Sequence, residues 1–535
     1  MVGDGRVDPY LCGYGAAGSG CEYRCVLNAA ARPSIFHGTW GGSRIAPMTT
    51  AVGGADRVAS RSRTDALVSA LDRRLGLRRG AAQNARARVA AAPGTHPGWV
   101  PTADMLYAVY GHTATLLADG RVLIAGGSYG VNVTQFAQIY DPNTSRWART
   151  GSMWNPRVLH TATLMPDGSV LVAGGYPASP VEGGFGGATD WPAPLKATER
   201  YDPAAGRWQQ VADMNDGHAH HTATLLSDGR VVVAAGMRLG GFPIGYRPDA
   251  MASNLFEIYD PAHDTWKDVG GIGDLRYGHT ATQVGDKVFV YGGNAAERVS
   301  GADAYVQTTS DSLLMVFGPL FGGIVAQTWA DRAFHTATAL ADGTVLIVGG
   351  DQTGWRYPPN PEYPNLTDHA PTDLRYDPAG DPTDPHTTAA VNPRRLDHTA
   401  TALADGRVLV AGGLYIDDGT MPDTGPFTIA AGHTLADARL HQPGNKPNGT
   451  WSTARTMIDD RRLHTATPLS DGSVLVTGGR QESTAKGTST VLGTAEVFYP
   501  NLPDLSGCNP LFGSKPAVVL QNAFRGSALR PRRSS

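Results

Sequence analysis

The chain contains the run His218-Ala219-His220-His221, and in an extended strand His218 and His220 fall on the same side. Two imidazoles so placed suit a metal ion, and a histidine near neutrality also suits general acid–base catalysis. No acidic partner is evident nearby. His218 stands three residues before His221, and the same offset before five other histidines carries Arg157, Arg276, Arg332, Arg395 and Arg461. Guanidiniums that converge without matched carboxylates would hold an anion such as a carboxylate, a sulfate or an acidic sugar. Before His112 the pattern changes to Tyr107, Val109 and Tyr110, and Tyr110 is a candidate acid or base. Trp191 and Trp355, in long irregular stretches, suit stacking on a sugar or gripping a peptide. The expected site is therefore His218 and Tyr110 for catalysis, the five arginines with Trp191 and Trp355 for ligand binding, and His218 with His220 for a metal. No cofactor motif is evident beyond that metal pair.

The element that positions these residues is a repeat. His-Thr-Ala-Thr occurs seven times, beginning at His112, His160, His221, His279, His335, His398 and His464. In six copies an Asp-Gly begins seven residues after the His (Asp119, Asp167, Asp228, Asp342, Asp405, Asp471), followed by an apolar run ending in glycine; the fourth has Gly285-Asp286. Each unit predicts a short strand, a tight hairpin in which glycine supplies positive φ, and a second strand apolar on both faces. A third strand ends in Tyr140-Asp141-Pro142, Tyr201-Asp202-Pro203, Tyr259-Asp260-Pro261 or Tyr376-Asp377-Pro378, and Trp147, Trp208 or Trp266 follows three of these on a fourth. A histidine present in every copy is expected to hold the scaffold together, so the exceptions are the informative positions.

These motifs resemble the kelch repeat, in particular its bacterial form with HTATLLxDGxVLVAGG and a later YDPxxxxW, over about residues 96 to 501. The resemblance implies an all-β, seven-bladed kelch-type β-propeller. Trp99, Met105 and His112 keep the spacings of Trp147, Met153 and His160, so an N-terminal strand around Trp99 is expected to close the last blade. The pattern is also similar to the propeller of copper radical oxidases, whose chemistry uses a tyrosine cross-linked to cysteine. Residues 96–506 contain no cysteine and the chain has no Tyr-His dipeptide, so that activity is not expected.

Strand alternation puts the Asp-Gly and Asp-Pro hairpins on one face, and the blade joints with the long second-to-third-strand links on the other. The long-link face is the expected binding face. The function expected there is binding or scaffolding of a protein, a glycan or an anionic small molecule; a non-oxidative isomerase, lyase or cyclase at the channel mouth is the alternative. The remaining chain divides into an extension, 1–95, with a helix expected over 64–92, and a basic tail, 507–535. A net charge of −3 gives no pull toward nucleic acid, and no apolar run is long enough to span a bilayer. A soluble protein is expected, cytoplasmic as written and secreted if the true start lies upstream. Cys12, Cys21, Cys25 and Cys508 leave that open: disulfides imply export, a reduced cluster does not.

Overall fold

The computed structural model describes residues 98–500 apart from several stretches between strands, of which 179–191, 240–249, 358–372 and 417–431 are the longest, together with the backbone of 10–17, 20–27 and 35–39. The chain divides into two compact units, Pro97–Asn501 and a second made of Met1–His96 with Leu502–Ser535.

In the larger unit, repeats 1 to 6 each form a four-stranded antiparallel sheet from one continuous stretch of chain. Repeat 2 is representative: Thr161–Leu164, Val170–Ala173, Thr198–Asp202 and Arg207–Val211 pair in sequence order. The second strand is buried on both faces, because each sheet packs against a neighbour on either side. Repeat 7 supplies only Thr465–Pro468, Val474–Thr477 and Ala495–Tyr499, and Gly98–Pro101 from before repeat 1 pairs with the last of these. Each first strand lies against those of the neighbouring repeats, and that of repeat 7 lies against that of repeat 1. The ring is therefore closed.

The expected fold class is corrected on these observations. Six blades are self-contained, and the remaining sheet is a seam that needs both ends of the unit, because repeat 7 has no fourth strand of its own. Among the described residues every regular element is a strand and there is no helix. The N-terminal extension contains a three-stranded meander, Tyr10–Ala17, Gly20–Leu27 and Ile35–Thr39, whose register sets Cys12 opposite Cys25. Tyrosine, cysteine and valine along these segments suit a pleated strand. The helix expected over 64–92 lies outside the described residues, as do Trp191 and Cys508. No helix of the described residues is long and apolar enough to cross a membrane.

Two sets of side-chain bonds tie neighbouring sheets together. Each repeat histidine hydrogen-bonds through Nε2 to the first threonine of the preceding repeat. The pairs are Thr113–His160, Thr161–His221, Thr222–His279, Thr280–His335, Thr336–His398, Thr399–His464 and, across the seam, Thr465–His112, at 2.9–3.1 Å. Six of the seven histidine rings pack against a glycine that ends the preceding second strand, Ala235 standing there before His279: a Cβ on Gly174, at φ +64°, would lie 2.8 Å from His221 Cε1 and 2.2 Å from the His218 carbonyl oxygen. Further out, tryptophan Nε1 donates to a carbonyl just past the outer strand of the preceding sheet: Trp147 to Ala103, Trp208 to Gly151, Trp266 to Ala212, and Trp99 to Arg455 at the seam.

The seven histidines are buried, and burial opposes their charging. His112, His279 and His398 are pushed down to about 3, and His160, His221, His335 and His464 well below their ordinary value. A depressed folded pKa makes a contribution that is complete above the unfolded value of 6.5 and is lost as pH falls below it. At pH 5 each histidine costs ~2 kcal/mol relative to neutral pH. Asp373, raised to about 6 chiefly by burial, acts in the opposite sense, as do the buried carboxyls of Asp397 and Glu496, but these are three groups against seven. The melting temperature is accordingly expected to fall steeply between pH 7 and pH 5. A melting temperature unchanged over that interval contradicts the burial of these imidazoles.

Candidate binding site

The five arginines do not converge on open space. All are 0–2% exposed, and each donates through Nη1 to the carbonyl of the first glycine after its own second strand: Arg157 to Gly174, Arg276 to Gly292, Arg332 to Gly349, Arg395 to Gly412 and Arg461 to Gly478. Among the described residues, Arg157, Arg461 and Arg395 also pair with a carboxylate from the third strand or the turn before it. Arg157 reaches Glu199 at 2.6 Å, Arg461 reaches Glu496 at 2.8 Å, and Arg395 pairs with Asp437. Glu199 and Glu496 in turn accept backbone N–H groups of the segment entering the repeat, Glu199 from Trp154 (2.7 Å) and Asn155 (3.0 Å) and Glu496 from Ile458 (2.8 Å).

His218 occupies the same slot in repeat 3. Its Nδ1 lies 2.8 Å from the carbonyl oxygen of Ala235, the counterpart of Gly174, and its Nε2 lies 3.2 Å from Glu257. Burial raises the Glu257 carboxyl, but the hydrogen bonds from His218 and from the Asn215 and Asp216 N–H groups outweigh it, and its pKa ends below the ordinary value. His218 thus stands where arginine stands elsewhere, wholly buried and without access to a ligand. Repeat 1 replaces both members together: Val109 takes the arginine position, and the neutral Gln138 takes the carboxylate position, accepting from the Leu106 N–H and donating to the Tyr107 carbonyl. Tyr110 is 1% exposed, with the Arg480 guanidinium 5.0 Å above its ring. Trp355 lies in the strand Trp355–Tyr357, paired with Ala304–Thr308.

Open chemistry gathers instead at the residue immediately before each repeat histidine: Gly111, Leu159, His220, Gly278, Phe334, Asp397 and Leu463. All seven have left-handed backbones, φ +49° to +65°. Their N–H groups donate to the carbonyl of the equivalent residue one repeat back: His220 to Leu159, Leu159 to Gly111, Gly111 to Leu463, Leu463 to Asp397, Asp397 to Phe334 and Phe334 to Gly278, at 2.8–3.3 Å. These six bonds link the seven residues into a belt where the first strands begin, at the long-link end of the channel. All seven are partly exposed.

The two sides of this mouth differ. On repeats 2 to 5, Leu159 and Phe334 pack on a separate apolar cluster of Val158, Tyr176, Ala219, Met237 and Tyr277. His220, Tyr277 and Phe334 form a triangle of edge-packed rings with centroids 6.0–6.4 Å apart. On repeats 6, 7 and 1 the mouth is ionic. Arg462 bridges Asp397 (2.9 Å) and Glu482 (2.7 Å), and Arg480 joins Glu482 at 2.7 Å. These charges are fixed by a sheet in which the links of repeats 6 and 7 pair: Leu414–Ile416, Gly432–Thr434, Arg480–Ser483 and Thr488–Val491. Burial raises the Asp397 carboxyl against the pull of Arg462.

His218 and His220, expected to share a metal, are thus separated: one is locked onto Glu257, the other faces Tyr277 and Phe334. Among the described residues no group of three or more histidines, cysteines or acids could hold a metal ion. The belt was missed from sequence although its signal is there: the residue before a constant His-Thr-Ala-Thr reads Gly, Leu, His, Gly, Phe, Asp, Leu.

Residues 99–302 match the Attractin/LZTR1 beta-propeller family model. A stretch of 95 residues, 18% of this chain, is 32% identical to Kelch-like protein 36 of Bos taurus, and 182 residues, 34% of the chain, are 26% identical to Kelch-like protein 38 of Rattus norvegicus. The chain spans only 14% and 27% of those proteins. A copper-bound fungal alcohol oxidase of the AA5 family superposes with a TM-score of 0.55 over 78% of this chain and 79% of that one, at 16% identity. These likenesses show a β-propeller fold. At that identity the oxidase is similar in fold alone.

The internal ion pairs lead to a contrast in stability. Glu199→Ala leaves the Arg157 charge buried and is expected to cost about 3–5 kcal/mol in urea unfolding. Asp119→Ala, which removes an exposed pair with Arg121, is expected to cost under about 1 kcal/mol. Equal costs would show that the arginine slot is not buried.

Proposed function

We propose that this is a kelch-type binding protein that holds a protein or glycan partner against its long-link face, centred on the channel mouth. The observation that carries the proposal is the belt: a frame identical in every repeat presents a different side chain at each turn of the ring, apolar on one side and ionic on the other. A residue needed for the scaffold would recur as the histidines and threonines do. The exposed large apolar side chains of the described residues, Leu106, Tyr129, Phe136 and Trp154, all lie in the links and joints at the same end of repeat 1. They extend the contact surface outward from the mouth, and Tyr107 stacked on Phe136 at 4.8 Å gives it an aromatic step.

The arginines supply no free positive charge for an anion, since their guanidiniums are buried in the blades. On the ionic side of the mouth Asp397 and Glu482 are matched by Arg462 and Arg480, and these offer paired hydrogen-bonding groups. Such a surface favours an uncharged or mixed partner with an apolar group for the Phe334 side.

Peptides selected from a random display library against the whole protein test this directly. Bound peptide is expected to slow hydrogen exchange at 158–159, 219–220, 333–334, 396–397 and 462–463, and to leave the hairpin turns 119–121, 228–230 and 405–407 unchanged. Trp154→Ala is expected to weaken binding about tenfold with an unaltered melting temperature. Protection confined to the hairpin turns overturns the proposal.

A further inference from the structure

Within the belt, most side chains have a visible reason to be there. A left-handed backbone strains a non-glycine residue, and Gly111 and Gly278 meet the geometry without that strain. Leu159 and Phe334 fill the space those glycines leave: a Cβ on Gly111 would lie 3.3 Å from Leu159 Cδ2, and one on Gly278 2.8 Å from Phe334 Cε1. Asp397 is tied to Arg462. His220 has no such tie. Its φ is +49°, its ring touches Tyr277 and Phe334 only edge-on, and among the described residues nothing hydrogen-bonds either ring nitrogen. Burial holds its pKa down at about 4, so the imidazole is neutral at pH 7 and keeps one N–H donor and one nitrogen acceptor.

The geometry points to His220 as the hydrogen-bonding anchor of the mouth for an uncharged ligand with a planar apolar body and an amide group, such as an aromatic carboxamide or an aromatic side chain beside a peptide bond. The planar body lies against the Tyr277 and Phe334 corner and the amide meets the imidazole. A charged ligand would lose its hydration in that corner and find no unpaired counter-charge, because Asp397, Glu482, Arg462 and Arg480 already satisfy one another. This inference rests on the proposal that the channel mouth is the binding site, and it names the ligand chemistry at one point of it.

The probe is benzamide, with benzoate and benzylammonium as charged controls, read by the imidazole carbon–proton resonances of the full chain labelled at histidine. Benzamide is expected to shift the His220 signals saturably, with the controls binding at least about tenfold more weakly. His220→Leu places at this position the residue that Leu159 and Leu463 already hold. It is expected to keep the melting temperature within about 2 °C and to lose about tenfold in benzamide affinity, the worth of one hydrogen bond. His220→Asn, which tolerates a left-handed backbone and keeps a donor and an acceptor, is expected to retain most of that affinity.

Three results overturn the inference: benzamide leaving the His220 signals unmoved, His220→Leu binding like the wild type, or both variants melting many degrees lower, which makes His220 structural. The wild-type titration decides even if a variant fails to fold. If selected peptides still protect the mouth while benzamide fails, the binding face stands and only the role of His220 falls.

Discussion

The hydrogen bond from each repeat histidine to the first threonine of the preceding repeat is the constraint from which the rest of the larger unit follows. It joins first strands that share no backbone ladder, and Thr465 to His112 carries it across the seam, so that sheets at opposite ends of the unit are held as firmly as neighbours. The seven links use seven threonines and seven buried imidazoles, and in six of them a glycine lies where a side chain would collide with the histidine ring. That is why His-Thr-Ala-Thr and the small residues ending the second strand vary so little within the chain. The residue just before the histidine makes only a backbone bond to its counterpart, so its side chain is free to differ, and the mouth of the channel acquires its character there.

Buried charge is handled inside each blade. A guanidinium, or the His218 imidazole, caps the carbonyl at the end of the second strand, and in repeats 2, 3 and 7 a carboxylate two residues before the third strand's conserved aromatic position receives it. The joint replacement by Val109 and Gln138 in repeat 1 shows that the two positions act as a unit: where the cation is absent, a carboxylate would be stranded, and a neutral amide makes the same backbone bonds. Isolated from that partner, a column of arginines looks like an anion site. With it, the column is internal cross-bracing, and the five guanidiniums are not presented to the loop face.

Much of the architecture was legible in the residues because a repeat multiplies weak signals. Asp-Gly turns, doubled glycines, apolar second strands and the Trp-Met-His spacing each recur, and Trp99 betrays the strand that completes the sheet of repeat 7. The candidate site was less legible. His218 and His220 alternate correctly for a strand, yet the left-handed turn at His220 sends their rings to different surroundings, and that turn is invisible in composition because leucine, phenylalanine and aspartate also occupy it. Glu257, the partner of His218, lies 39 residues away, so nothing local announced it. The N-terminal meander was hidden for a different reason: its strands carry many glycines and little alternation, and they gain their meaning only from pairing.

The central claim is that the histidine-to-threonine links, and not the sheets alone, hold the ring. A double-mutant cycle on Thr161 and His221, with Thr161→Val, His221→Leu and the double variant unfolded in urea at pH 7.5, measures one link directly. A coupling of about 1 kcal/mol or more is the expected result, since two neighbours sharing a buried hydrogen bond do not act independently. Strict additivity of the two substitutions would contradict the account and return the closure of the ring to apolar packing alone.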